Sequence, residues 1–101
     1  MYRYTTPTLP ITIEDVDFSL VDNFRIAIKS KTEQLYIIPA SDERVDTENN
    51  TINLALTQEQ TAELEEGFAR LQVRIVYASG AVQATPIVSV TVKDVIDEVI
   101  V

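Results

Sequence analysis

Apolar side chains recur at every second position along much of this chain, and that period constrains the fold more than any other feature. Leu9, Ile11 and Ile13 alternate with Pro10 and Thr12, and Phe24, Ile26 and Ile28 with Arg25, Ala27 and Lys29. Ile52, Leu54 and Leu56 alternate with Thr51, Asn53 and Ala55. Leu71, Val73, Ile75 and Tyr77 alternate with Arg70, Gln72, Arg74 and Val76, and Val88, Val90 and Val92 with Ser89, Thr91 and Lys93. Successive side chains of a strand point to opposite faces. Each stretch therefore has an apolar face and a mostly wettable one, as a half-buried antiparallel strand requires. Gln34 to Pro39 differs, being apolar on both faces at Leu35-Tyr36-Ile37-Ile38. It reads as a central strand or as an edge covered by something else.

The residues between these stretches are turn formers. Ser30-Lys31-Thr32-Glu33 separates two strands at hairpin distance. Glu48-Asn49-Asn50 reads as a turn because Asn tolerates positive φ. Ser79-Gly80 is the strongest hairpin signal. Pro86 has no N–H for a ladder, so it marks an edge, a bulge or a strand break. Thr57-Gln58-Glu59-Gln60 has the form of a capping box, with Thr57 as N-cap and Gln60 reaching back. Glu59 suits the positive end of the helix dipole, whereas Glu65 and Glu66 sit at the wrong end, so the helix should be short. Gly67 is expected to close it, with Ala62 and Leu64 packed on a sheet.

These elements predict an all-β chain. The expected fold is an immunoglobulin-like antiparallel β-sandwich of about six to seven strands, with one short helix near 58–66. Residues 1–8 read as an extended N-terminal arm, 9–93 as the sandwich domain and 94–101 as an apolar C-terminal tail. In the tail, Val95, Ile96, Val99 and Ile100 would share a helical face, while a strand would place apolar groups on both sides; the pattern leaves both open.

The chain has 101 residues, enough for one domain, and 46% of them are apolar. It has no cysteine and no histidine. That removes disulfides, the usual zinc ligands and the commonest general base. The net charge of −8 disfavours nucleic acid as a partner. No stretch approaches the roughly 20 apolar residues of a membrane span, and the N-terminus lacks a signal-peptide pattern, so cytoplasmic synthesis is expected.

No catalytic, cofactor-binding or metal site is expected, nor a small-molecule substrate. Asp15, Asp17 and Ser19 have the opening spacing of a calcium loop, but Leu20 stands where that loop needs Gly and Ile26 where it needs Glu. Asp42, Glu43, Asp46 and Glu48 read as an exposed acidic loop. The serines have no histidine to activate them, and neither glycine belongs to a phosphate loop. Arg70, Gln72 and Arg74 line the polar face of one strand, as a solvated face or as a stripe for an acidic partner. Tyr2, Arg3 and Tyr4 lie outside the periodic core and combine residue types enriched at interfaces. With Val95, Ile96, Val99 and Ile100 of the tail, they are the candidate partner contacts.

Tyr2-Arg3, Thr5-Thr6-Pro7-Thr8, Leu56-Thr57-Gln58-Glu59-Gln60-Thr61, Gly67, Leu71-Gln72-Val73-Arg74 and the Ser79-Gly80 hairpin together resemble a group of small structural proteins of phages and prophages of Gram-positive bacteria. The resemblance runs over nearly the whole chain and departs at Tyr4, where relatives carry a basic residue followed by Gly. It implies a sandwich similar in kind to the immunoglobulin-like N-terminal domains of phage baseplate proteins. It also implies a non-enzymatic role in particle assembly, through self-association or docking on a larger phage structural protein, and residence in the virion. Two rival roles remain at this point: a carbohydrate or host-surface binding module, and an acidic inhibitor of a DNA-binding protein.

Overall fold

The alternating stretches are strands, and the computed structural model, which describes residues 1–101, arranges them in two antiparallel sheets. In chain order the elements are β1 (Thr8–Thr12), a 3₁₀ turn (Phe18–Leu20), β2 (Val21–Lys29), β3 (Leu35–Pro39), β4 (Val45–Glu48), β5 (Thr51–Ala55), α1 (Gln58–Glu63), β6 (Gly67–Tyr77), β7 (Val82–Ala84) and β8 (Val88–Val92). The smaller sheet has the order β1-β5-β4. The larger has the order β3-β2-β6, with β7 and β8 both pairing with β6. No helix is long and apolar enough to cross a membrane.

The apolar halves of the alternations meet in one core, except for Val88 at the start of β8, which is exposed. Ile26 and Ile28 of β2, Leu71, Val73 and Ile75 of β6, and Ile52 and Leu54 of β5 are all buried there. Ile13, Val16, Leu56 and Leu64, from the segments outside the strands and α1, are buried in the same cluster. Burial of each such side chain is worth about 1.5–3 kcal/mol, which makes this layer the main source of stability.

β7 and β8 are two halves of one interrupted strand. Leu71 faces Val88 and Arg74 faces Ala84, so Thr85-Pro86-Ile87 spans only Gln72-Val73. This is a one-residue bulge at the proline, which has no N–H to donate. Thr85 repairs the ladder. Its N–H donates to the Val73 carbonyl (2.9 Å), and its hydroxyl accepts from the Val73 N–H (3.0 Å).

The capping box forms as the sequence predicts: the Thr57 side chain accepts from the Gln60 N–H, and Gln60 Oε1 accepts from the Thr57 N–H. Gly67 does not close the helix. The helix ends at Glu63, with Leu64 as an extended C-cap, and Gly67 opens β6 with φ +130°. Gly80 does serve its hairpin, with φ +90°. With β7 and β8 counted as one interrupted strand, the two sheets hold seven strands, within the expected range. β4 and β7 are both short, and β4 carries Asp46 and Glu48, so half of the acidic "loop" is an edge strand. β3 is an edge, as one of the two readings had it, but its outer side chains are bare, with Leu35 58% and Ile37 39% exposed. Beyond Lys93 the tail is neither helix nor strand.

Leu54→Ala is expected to lower stability by about 2–5 kcal/mol in urea denaturation, as a fully enclosed cavity should. Thr47→Ala, on exposed β4, is expected to stay within about 0.5 kcal/mol. Equal effects at the two positions would contradict the assignment of the core.

Candidate protein-docking surface

The outward half of the same alternation builds a cationic face on the larger sheet. β2 and β6 run antiparallel with Arg25 opposite Arg74, Ala27 opposite Gln72 and Lys29 opposite Arg70. β3 extends these rows with Pro39 beside Arg25, Ile37 beside Ala27 and Leu35 beside Lys29. Ala84 of β7 flanks Arg74, and Ser89 of β8 flanks Arg70. Half of the eight Lys and Arg residues therefore lie on one sheet face of a chain with 16 Asp and Glu.

One end of this face is internally neutralised. Glu33 sits at the β2–β3 turn with φ +70°, and its carboxylate accepts from Lys29 (2.9 Å) and from Arg70 (2.9 Å). Those bonds hold the Glu33 carboxyl below its usual range, Lys29 contributing most. The other end has no such partner. The four ion pairs of the molecule involve only Arg3, Lys29 and Arg70 as cations, so Arg25 and Arg74 face each other with no counter-charge. Like charges directly opposite on neighbouring strands are destabilising. The hollow over them, about 390 Å³, is lined by Arg25, Ala27, Leu35, Ile37, Gln72, Arg74 and Ala84. Phe68 adds an aromatic on the same face of β6, 64% exposed.

β3 has a second groove on its inner side. Ile28, Tyr36, Ile38, Leu56, Gln60 and Leu64 line about 290 Å³ between the strand and α1. The Tyr36 hydroxyl is buried there with no hydrogen-bond partner, and burial, followed by Glu63 and Glu65, pushes its ionisation upward. β3 ends the order of its sheet, so one row of its backbone groups has no strand to pair with.

The residues singled out at the termini gather elsewhere, at one corner. The N-terminal arm folds back on β8: the Arg3 N–H donates to the Lys93 carbonyl (2.9 Å) and the Lys93 N–H to the Met1 carbonyl (2.7 Å). Tyr2 forms a parallel bridge to Lys93, whose ammonium lies 5.6 Å from the tyrosine ring centre. Arg3 is occupied internally and only 17% exposed. Its guanidinium donates to the carbonyls of Ala62 and Leu64, both at 2.6 Å, and to Asp94 at 2.7 Å, and it pairs with Glu98 at 3.4 Å. It thus satisfies the C-terminal carbonyls of α1 that a glycine cap was expected to serve. Tyr4 adopts φ +59°, with the Arg3 guanidinium 5.3 Å from its ring centre. Of the tail residues, Val95 is half-buried, and Ile96, Val99 and Ile100 are exposed. Val101 is held by a two-way amide pairing with the Gln58 side chain (2.9 and 3.0 Å).

The remaining sequence candidates have local roles. Asp17 caps the 3₁₀ turn by accepting from the Ser19 N–H and hydroxyl, which lowers its ionisation range. Asp42 accepts from the Arg44 N–H. No three or more acidic side chains converge as a metal site would need.

Comparison with protein-family models, with curated proteins and with solved structures finds no match to this chain.

The geometry carries two expectations. Arg74→Glu converts a repelling cross-strand pair into an attracting one and is expected to raise stability by about 0.2–1 kcal/mol in urea denaturation; a loss would mean the two guanidinium groups are not opposed. Asp94 is held below its ordinary value first by the hydrogen bond from Arg3. Its contribution to stability is complete above the unfolded value of about 3.9 and is lost as pH falls through the lower folded value. By NMR titration the Asp94 carboxyl should have a midpoint below about 3.9, rising toward it in Arg3→Gln. Identical midpoints in the two proteins would contradict the pairing.

Proposed function

We propose that this chain is a non-enzymatic assembly module of a phage or prophage particle, working through protein–protein contacts made by the outer face and β3 edge of the larger sheet. The observation that supports this best is the bare hollow lined by Leu35, Ile37, Arg25 and Arg74. It combines exposed aliphatic groups with arginines that have no internal counter-charge, on an edge strand able to accept an added strand. A solvated outer face would gain nothing from two exposed aliphatic groups on its edge strand. The sequence resemblance over nearly the whole chain supplies the particle context, and the immunoglobulin-like kinship belongs to the same proposal. On this reading the chain is made in the cytoplasm and resides afterwards in the virion, with neither nucleic acid nor a small molecule as ligand.

Mass spectrometry of purified particles from the induced producing strain tests the reading. The chain is expected in mature particles, or in their assembly intermediates, at a fixed ratio to the major structural proteins. Absence from both would overturn it.

A further inference from the structure

The two outer sheet faces carry opposite character. The larger sheet has Arg25, Lys29, Arg70 and Arg74 on its face, with Glu33 at the rim. The smaller sheet has no Lys or Arg on β1, β4 or β5, and its edge strand β4 carries Asp46 and Glu48. Both are exposed, and neither belongs to any of the four ion pairs. Asp46 lies opposite Asn53 and Glu48 opposite Thr51, so the two carboxylates share one face, two residues apart. That spacing is about 6.6–6.8 Å along a strand, within reach of two long arginine side chains on adjacent strands. Arg44 stands one residue before β4, outside the strand.

We propose that Asp46 and Glu48 of a second copy of this chain complete the Arg25–Arg74 pair, so that copies stack with the larger sheet of one against the smaller sheet of the next. The inference rests on the assembly reading above and names its partner. Charge complementarity selects the occupant: the cationic hollow needs two carboxylates on a flat surface, and β4 presents them on an edge strand. Leu35 and Ile37 lie in the same hollow and would be covered by the contact. The two surfaces are different patches of one chain, so the contact is heterologous and propagates into a ring or an open stack rather than closing as a two-fold dimer. The net charge of −8 opposes stacking at long range, which makes contact-by-contact charge exchange a cleaner test than salt alone.

The test uses two charge-reversed proteins, Arg25→Glu/Arg74→Glu and Asp46→Arg/Glu48→Arg, each checked for fold by circular dichroism and measured by sedimentation velocity over a concentration series. The wild-type mass should climb from the 11.3 kDa monomer as concentration rises. Each variant alone should remain monomeric, because both of its stacking contacts would join like charges. An equimolar mixture should recover association, because every contact between unlike variants joins opposite charges. A wild type that stays monomeric to millimolar concentration overturns the proposal, as does a mixture of folded variants that fails to recover. A monomer still found in purified particles would leave the assembly reading standing and sink only self-stacking. A monomer absent from particles would sink both.

Discussion

The antiparallel pairing of β2 with β6 is the contact on which the rest of the molecule depends. One register settles both faces at once. With Ile26 opposite Val73 and Phe24 opposite Ile75, the apolar halves of the two longest strands turn toward the smaller sheet. The same register sets Arg25 opposite Arg74 on the outside. A slip of one residue would bury the arginines and expose the isoleucines, so the hydrophobic pattern fixes the register strongly. The like-charge pair is therefore a by-product that the core enforces. The chain keeps arginine at both positions although its overall composition is acidic, and a single acidic residue there would relieve the repulsion. A local rule broken without internal compensation is the feature that supports the proposed docking role of this face.

The termini solve a different problem. α1 is too short to hold itself together, since an isolated helix of six residues lies far below the length at which helices persist in water. Its N-terminus is closed by its own capping box and its C-terminus by Arg3, which arrives from the far end of the sequence. Thr61 completes the tie: its buried hydroxyl accepts from the Thr5 N–H and donates to the Thr5 carbonyl. Arm, helix and tail thus form one interlocked corner. Arg3 couples the first residues to the tail through Asp94 and Glu98, Thr61 ties the arm to α1, and Gln58 ties α1 to Val101.

What was legible in the chain follows from range. The five alternating stretches, the capping box and the Ser79-Gly80 hairpin are local signals, and they appear where the pattern puts them. Gly67 misled because two neighbouring events, a helix end and a strand start, both use glycine, and positive φ alone does not say which. β4 escaped because a polar edge strand with only Val45 half-buried carries no alternation to read. The candidate surface was half visible. Arg70, Gln72 and Arg74 stood out as a stripe, and Leu35 to Ile38 as apolar on both sides. Arg25 was passed over because its significance lies in its neighbour on β6, and nothing local to Arg25 tells which strand will lie beside it.

The bulge at Pro86 makes the two edges of the larger sheet unlike. On the β6 side, β7 and β8 are short, broken by a residue with no N–H and stitched by Thr85 to Val73. A bulged, proline-bearing edge is a poor template for another strand. At the opposite edge the five residues of β3 pair in unbroken register with β2, with no inserted residue and the only proline at the end. The defence is thus built into one edge and left out of the other. The unprotected edge is β3, whose Leu35 and Ile37 line the same hollow as Arg25 and Arg74. Edge protection and face chemistry therefore converge on the same side of the molecule, and that convergence supports the proposal of the larger sheet's outer face as a docking surface.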